Sequence, residues 1–266
     1  MAITVALLNL VLGSVYTCYG LMTVVDMKRG WKTHGFSHFG MAWLAMAFTC
    51  GPHHLDHGLH CLISGRAGGW LDIVTIVIGY PAGVVWFLLR VEAMWGGRGD
   101  RPIDGTPGWL AFLPTALASY TVFVITASIW LGDGSATLEW RIVPNLMLVV
   151  LYSAIGVVLL RNQLRNHPVT GGWSLSGLSL SMVMYTCAVM HAVFALYATS
   201  GRYDMDWHGA VIDIVAVPAA AYFLWVTLML TQGWLHEWND AAPDVRRHVP
   251  APDADDIEEP VLVGAR

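Results

Sequence analysis

Between Cys50 and Cys61 the chain reads Cys-Gly-Pro-His-His-Leu-Asp-His-Gly-Leu-His-Cys, which places His53, His54, His57 and His60 within eight positions. With 11 histidines in 266 residues, composition alone puts about 0.3 in a window of that size. Chance is a poor explanation for the cluster. Wound as a helix at about 100° per residue, the four histidines, Asp56, Cys50 and Cys61 all fall within an arc of about 160°. Imidazoles three and four residues apart stand one turn from each other, so side chains of a single helix can reach a common ion. Neutral imidazole is the commonest protein ligand for transition metals, and a carboxylate either joins it or orients it from behind. The expected metal ligands in this segment are therefore His53, His57 and His60, with His54 on the margin of the arc.

Other ionisable residues in apolar surroundings extend the set. His191, with Cys187 one turn before it, and His208 complete the expected ligands, while Asp56 and Asp213 are the residues expected to orient an imidazole or carry a proton in catalysis. Asp72, Asp204 and Asp206 lie at the same level along the chain's spans. Taken singly, each of these residues fits equally well as part of a hydrated polar cap near a membrane surface. His38 is separated from His53 by about 22 Å of helix and cannot share the site. His34 is with it at that far end, and His167, His236 and His248 read as solvated.

These residues must be positioned by helices in lipid. The chain is 56% hydrophobic and 12% charged, against about 25% charged in an average soluble domain. A spanning helix needs about 20 mainly apolar residues, and seven stretches qualify: 3–25, 36–62, 69–93, 108–131, 141–161, 174–199 and 208–235. The first has no Lys or Arg before its apolar core, so it reads as a retained helix rather than a leader. Of the 14 Lys and Arg residues, only Arg66, Arg141 and Arg202 fall on one side of this seven-span arrangement. Because basic residues near helix ends stay cytoplasmic, the amino terminus is expected outside and the carboxyl terminus in the cytoplasm. Residues 1–239 then form one transmembrane domain, an all-α seven-helix bundle in the cell membrane. Residues 240–266 are acidic and Pro-rich, and are expected to be a disordered cytoplasmic tail.

Tryptophans near the span ends, including Trp31, Trp70, Trp173 and Trp234, read as an interfacial belt. Pro52 and Pro218 would each remove a helical hydrogen bond and open a kink near the histidines. A net charge of −5 without a basic block excludes nucleic acid as a partner. The four cysteines all lie in apolar runs, where they read as small hydrophobes rather than a disulfide framework.

Over a handful of residues, His53-His54-Leu55-Asp56-His57 resembles the His/Asp-rich helix of bacterial nickel/cobalt permeases, in which one His precedes an Asp-x-Asp-His group. Position 58 is Gly here, and the spacing of that group is not reproduced. Seven spans with buried His, Asp and Ser are similar to those of alkaline-ceramidase-like hydrolases, whose carboxyl-terminal His-x-x-x-His pair is absent from 208–235. Three functions fit the residues. The first is a metal-dependent membrane enzyme, an oxidoreductase or hydrolase using Cu, Fe or Zn on a lipidic or small apolar substrate that enters from the bilayer. The second is a transition-metal permease, which would need ligands continuing across the bilayer. The third is an electron-transfer protein holding haem between two histidines of facing helices.

Overall fold

The computed structural model describes residues 1–103, 142–199, 207–235 and 237. The described chain is all-α apart from one two-residue ladder. Helices α1 (Ala2–His34), α2 (His38–Ser64) and α3 (Trp70–Met94) are followed by strand β1 (Pro102–Ile103). Then come α4 (Ile142–Thr170), strand β2 (Trp173–Ser174), α5 (Leu175–Thr199) and α6 (Trp207–Gln232). The strands pair antiparallel, Pro102 opposite Ser174 and Ile103 opposite Trp173. The expected fourth span, 108–131, and the tail, 240–266, lie outside the described residues, as do Arg141, Arg202, Asp204, Asp206, His236 and His248.

Five of the helices, α1, α3, α4, α5 and α6, are long and apolar enough to cross a membrane. Helix α2, with 27 residues, has the length, but its histidines and Asp56 dilute the apolar run. The surface is inverted relative to a water-soluble protein. Leu7, Val11, Leu21, Val77, Ile78, Leu88, Val150 and Val211 face outward, while Asn9, His54, Asn145, His191 and Asp213 are buried. Ionisable and amide side chains that point inward from an apolar exterior point to a membrane protein. Trp31, Trp70 and Trp234 are exposed, as an interfacial belt requires, but Trp173 is only 1% exposed and its ring lies 4.9 Å from that of His167.

Helix ends follow local chemistry. Helices α1 and α4 run two to three turns beyond their apolar stretches, into Lys28, Arg29 and Lys32 and into Arg161 and Arg165, α4 continuing past Pro168. Each stops only at a glycine with positive φ, Gly35 at 76° and Gly171 at 67°, a conformation in which a Cβ would be strained. Pro52 and Pro218 do not divide their helices. The Ser37 hydroxyl caps α2 by accepting the Gly40 N–H at 2.8 Å, and Glu237 Oε1 accepts those of His38 and Phe39 at 2.6 and 3.1 Å. At the start of α5, the buried Asp100 accepts the Ser174 hydroxyl at 2.6 Å and the Ser176 N–H at 2.8 Å. Replacing Asp100 with Ala removes a charged cap that also accepts the Arg101 N–H at 2.8 Å, leaving three donors without it, so a loss of about 2 kcal/mol is expected in denaturant unfolding of the detergent-solubilised protein.

Packing partners set helix direction. Gly13 of α1 sits against Gly51 of α2, Gly58 against Ala6, and Gly20 against Ala47, which makes α1 and α2 antiparallel. Val5 and Ile73 share one cluster, and Asp26 pairs with Arg90, so α3 runs parallel to α1. Asn145 meets His191, Ser181 meets Gly156, and His53 meets Asp213. Thus α1, α3, α4 and α6 run one way and α2 and α5 the other. A central aromatic core of Tyr16, Tyr19, Trp43, Trp86, Tyr152 and Phe223 joins them, with the Tyr19 and Trp86 rings stacked at 4.3 Å.

Candidate metal centres

The carboxyl half of α2 faces three partners at once, and its histidines divide among them. Successive helical residues diverge by about 100°, so neighbouring His53 and His54 cannot point at the same helix. His53 turns toward α5 and α6, where its Nδ1 lies 2.9 Å from Asp213 Oδ1 and its ring centre 4.9 Å from that of His191. His54 turns toward α1, where its Nδ1 lies 2.8 Å from Asn9 Oδ1.

Around Asp213 the polar atoms form a closed chain. Asn145 Nδ2 donates to Asp213 Oδ2 at 2.7 Å, and Asn145 Oδ1 lies 2.6 Å from His191 Nδ1. Since the amide nitrogen is committed to the carboxylate, the amide oxygen must accept from His191, which places the imidazole proton on Nδ1 and leaves Nε2 with its lone pair. His191 Nδ1 is also 3.9 Å from Asp213 Oδ1. His53, His191 and Asp213 each present a donor atom, and the three atoms lie within 4.8 Å of one another.

Two atoms in this group are left over. His53 Nδ1 and Asp213 Oδ1 are close enough for an ion pair but lie off the line of a hydrogen bond, and neither has an aligned partner among the described residues. The Tyr152 hydroxyl is in the same position, its ring 5.4 Å from that of His191. Asp213 is 0% exposed, and a buried carboxylate is costly unless a cation offsets it. Orphaned nitrogen and oxygen donors converging beside a buried negative charge fit a divalent ion.

A second group lies one turn deeper. Cys50 and Cys187 have their sulfurs 3.7 Å apart, and with His54 they present three donor atoms within 4.8 Å of one another.

Those of the remaining expected residues whose side chains are described fall outside both groups. His57 Nε2 lies 3.9 Å from Cys61 Sγ, and His57 and His60 belong to neither group. Asp56 Oδ2 sits 3.6 Å from where a Cβ on Gly209 would stand, at the start of α6, so it too is outside both groups. His208 is on α6, and its side chain lies outside the described residues. His38 is at the opposite end of α2, 2.9 Å from the Tyr222 hydroxyl. Sequence reasoning missed Asn9 and Asn145, although each is a lone amide in an otherwise aliphatic run, and such a residue in a membrane helix needs a partner. No known protein family, curated protein or solved structure matches the chain.

Proposed function

We propose that the chain is a polytopic membrane metalloenzyme whose centre is a transition-metal ion held by His53, His191 and Asp213. The observation that carries this reading is the pair of buried, unaligned donors, His53 Nδ1 and Asp213 Oδ1, beside His191. Two histidines and one carboxylate form the donor set of non-haem Fe(II) oxygenases and of Zn hydrolases, both of which leave coordination positions open. Such an ion supplies Lewis acidity, or oxygen activation if it is iron. The chain's own residues orient the ligands: Asn145 holds the His191 tautomer and one carboxylate oxygen, and Tyr152 offers a hydroxyl beside His191. The substrate we propose is lipidic or small and apolar, because the bundle's outer faces are aliphatic.

Chemistry is favoured over conduction by what lies below the centre. Beyond the Cys50, Cys187 and His54 group, Tyr16, Trp43, Met46, Tyr152, Met184 and Phe223 are buried in one largely apolar cluster, so among the described residues no continuous row of ionisable ligands leads an ion across. A bare ion is favoured over haem because His53 and His191 both lean on one carboxylate with ring centres 4.9 Å apart, leaving no slab for a porphyrin between them.

The seven-span topology, with the amino terminus outside, belongs to the same proposal. Lys28, Arg29, Lys32, Arg90, Arg98, Arg101, Arg161 and Arg165 cluster at the end of the bundle opposite the metal groups, and among the described residues only Arg66 lies at the near end. Ile103 pairs at the far end, beyond the carboxyl end of α4, whereas Ile142 opens α4 at the near end, roughly 43 Å away along a 29-residue helix. The sequence between them, 104–141, contains the apolar stretch 108–131, which has the length of a spanning helix.

Elemental analysis and an optical spectrum of the detergent-purified protein test the centre. His191→Ala is expected to lose the ion, whereas His57→Ala and His38→Ala keep it. Equal loss in all three variants would refute the assignment. A Soret band would replace the ion with haem, and metal uptake into proteoliposomes would replace catalysis with transport.

A further inference from the structure

Cys50, Cys187 and His54 stand apart from the carboxylate centre and have no part in the chemistry proposed for it. We infer that they form a second site, for a soft d¹⁰ cation, cuprous or zinc, one helical turn deeper in the bundle. Both sites are built by the same two helices. On α2, Cys50 precedes His53 by three residues and His54 by four; on α5, Cys187 precedes His191 by four. Four residues of helix advance about 6 Å, so a sulfur layer lies below a nitrogen and oxygen layer at roughly that spacing.

Donor chemistry and geometry point to this class of ion. Thiolates select Cu(I) and Zn over harder cations. In a tetrahedral zinc site with Zn–S bonds of about 2.3 Å, two sulfurs stand about 3.8 Å apart, and the Cys50 and Cys187 sulfurs are 3.7 Å apart. A disulfide would hold them at about 2.05 Å. Both cysteines are free.

The imidazole is independently prepared for a ligand. Asn9 Nδ2 donates to the Val5 carbonyl at 2.9 Å, so Asn9 Oδ1 is the atom that faces His54 and it must accept the Nδ1 proton. Nε2 is then the only nitrogen of His54 with a lone pair. A ligating histidine typically has its other ring nitrogen anchored to an oxygen in this way. Both His54 and Asn9 are almost fully buried, so water does not account for the arrangement. His191 is held by Asn145 through the same device in the other group, and each group therefore has one amide-anchored imidazole.

The test uses the full-length protein in detergent, reduced and loaded with Co(II) under anaerobic conditions. Wild type is expected to show thiolate-to-cobalt charge-transfer absorption, which a nitrogen and oxygen site does not produce. Cys50→Ser and Cys187→Ser should each abolish the band, while Asp213→Asn should keep it and bind one ion fewer. No band in wild type, or a band that survives both cysteine substitutions, overturns the inference. If the band is present but Asp213→Asn binds as much metal as wild type, the sulfur site stands and the carboxylate centre fails. Maleimide labelling guards against misfolded variants, because it needs only the wild-type protein. Zn(II) should protect Cys50 and Cys187, while the exposed Cys18 labels at the same rate with or without it. Cys50 and Cys187 reacting with maleimide, and reacting equally fast with and without Zn(II), would also overturn the site. Copper or zinc that co-purifies with wild type and is lost from Cys187→Ser identifies the occupant.

Discussion

Asp213→Ala is expected to empty the carboxylate centre and to lower stability by about 3–5 kcal/mol, the cost of removing one partner from a buried charged network. Asp213 supplies the only carboxylate in its group, and its two oxygens face His53 and Asn145. Without it His53 Nδ1 and Asn145 Nδ2 are stranded in an apolar interior. Asn145→Leu tests the same network from behind the ligands. It leaves all three donor atoms in place but frees His191 to turn and change tautomer, so metal affinity should fall by about 10–100-fold without disappearing. Thermal unfolding followed with and without added metal separates these effects. An ion at 100 times its dissociation constant stabilises the fold by about 2.7 kcal/mol. Read in a background with Cys50 and Cys187 both replaced by Ser, so that only the carboxylate centre binds, that increment should appear with Asp213 and Asn145 intact, shrink in Asn145→Leu and vanish in Asp213→Ala. An equal metal-induced increment in that background with and without Asp213→Ala would show that the ion sits elsewhere.

Gly51→Leu is expected to be the most damaging single substitution in the packing between α1 and α2. A Cβ on Gly51 would stand 3.0 Å from the Thr17 backbone nitrogen and 3.2 Å from the Gly13 carbonyl oxygen, and one on Gly13 would stand 2.8 Å from the Gly51 oxygen. These neighbours are backbone and cannot rotate away. Overpacking in a core that can adjust costs about 1–3 kcal/mol; here the helices must separate, so the loss should exceed about 3 kcal/mol. The consequence reaches the chemistry. Helix α2 carries His53, His54 and Cys50, and α1 carries the Asn9 that anchors His54, so a leucine at this crossing should release metal from both groups. Gly209→Ala is the matched control, since among the described residues its Cβ meets only Asp56 Oδ2 at 3.6 Å and alanine favours a helix. The yield of monodisperse protein in detergent and its thermal aggregation midpoint measure both variants. Equal midpoints would show that the glycines are not what bring the helices together.

Much of the helical frame is legible along the chain because each span is a long apolar run closed by glycine or charge. The expected 69–93 and 174–199 correspond to Trp70–Met94 and Leu175–Thr199. Hydropathy, however, marks where lipid contact ends rather than where a helix ends, which is why α1 and α4 continue to Gly35 and Gly171. That Asp213, His191 and His54 would be interior was also legible, since a polar group inside an aliphatic helix must find a polar partner.

Which groups meet was decided only by the tertiary structure. Projected on a single helix, His53, His54, His57 and His60 share one broad face and look like one ligand set. A face of about 160° is wide enough to touch several neighbours, and α2 is packed against α1 on one side and α6 on another. The helix therefore distributes its side chains: His54 to Asn9, His53 to Asp213 and His191, and His57 to its own Cys61. Periodicity determines how deep a residue lies and that it turns inward; the identity and direction of the helix across from it come from packing, and here the glycines of α1 and α2 and the shared direction of α2 and α5 settle which donors converge.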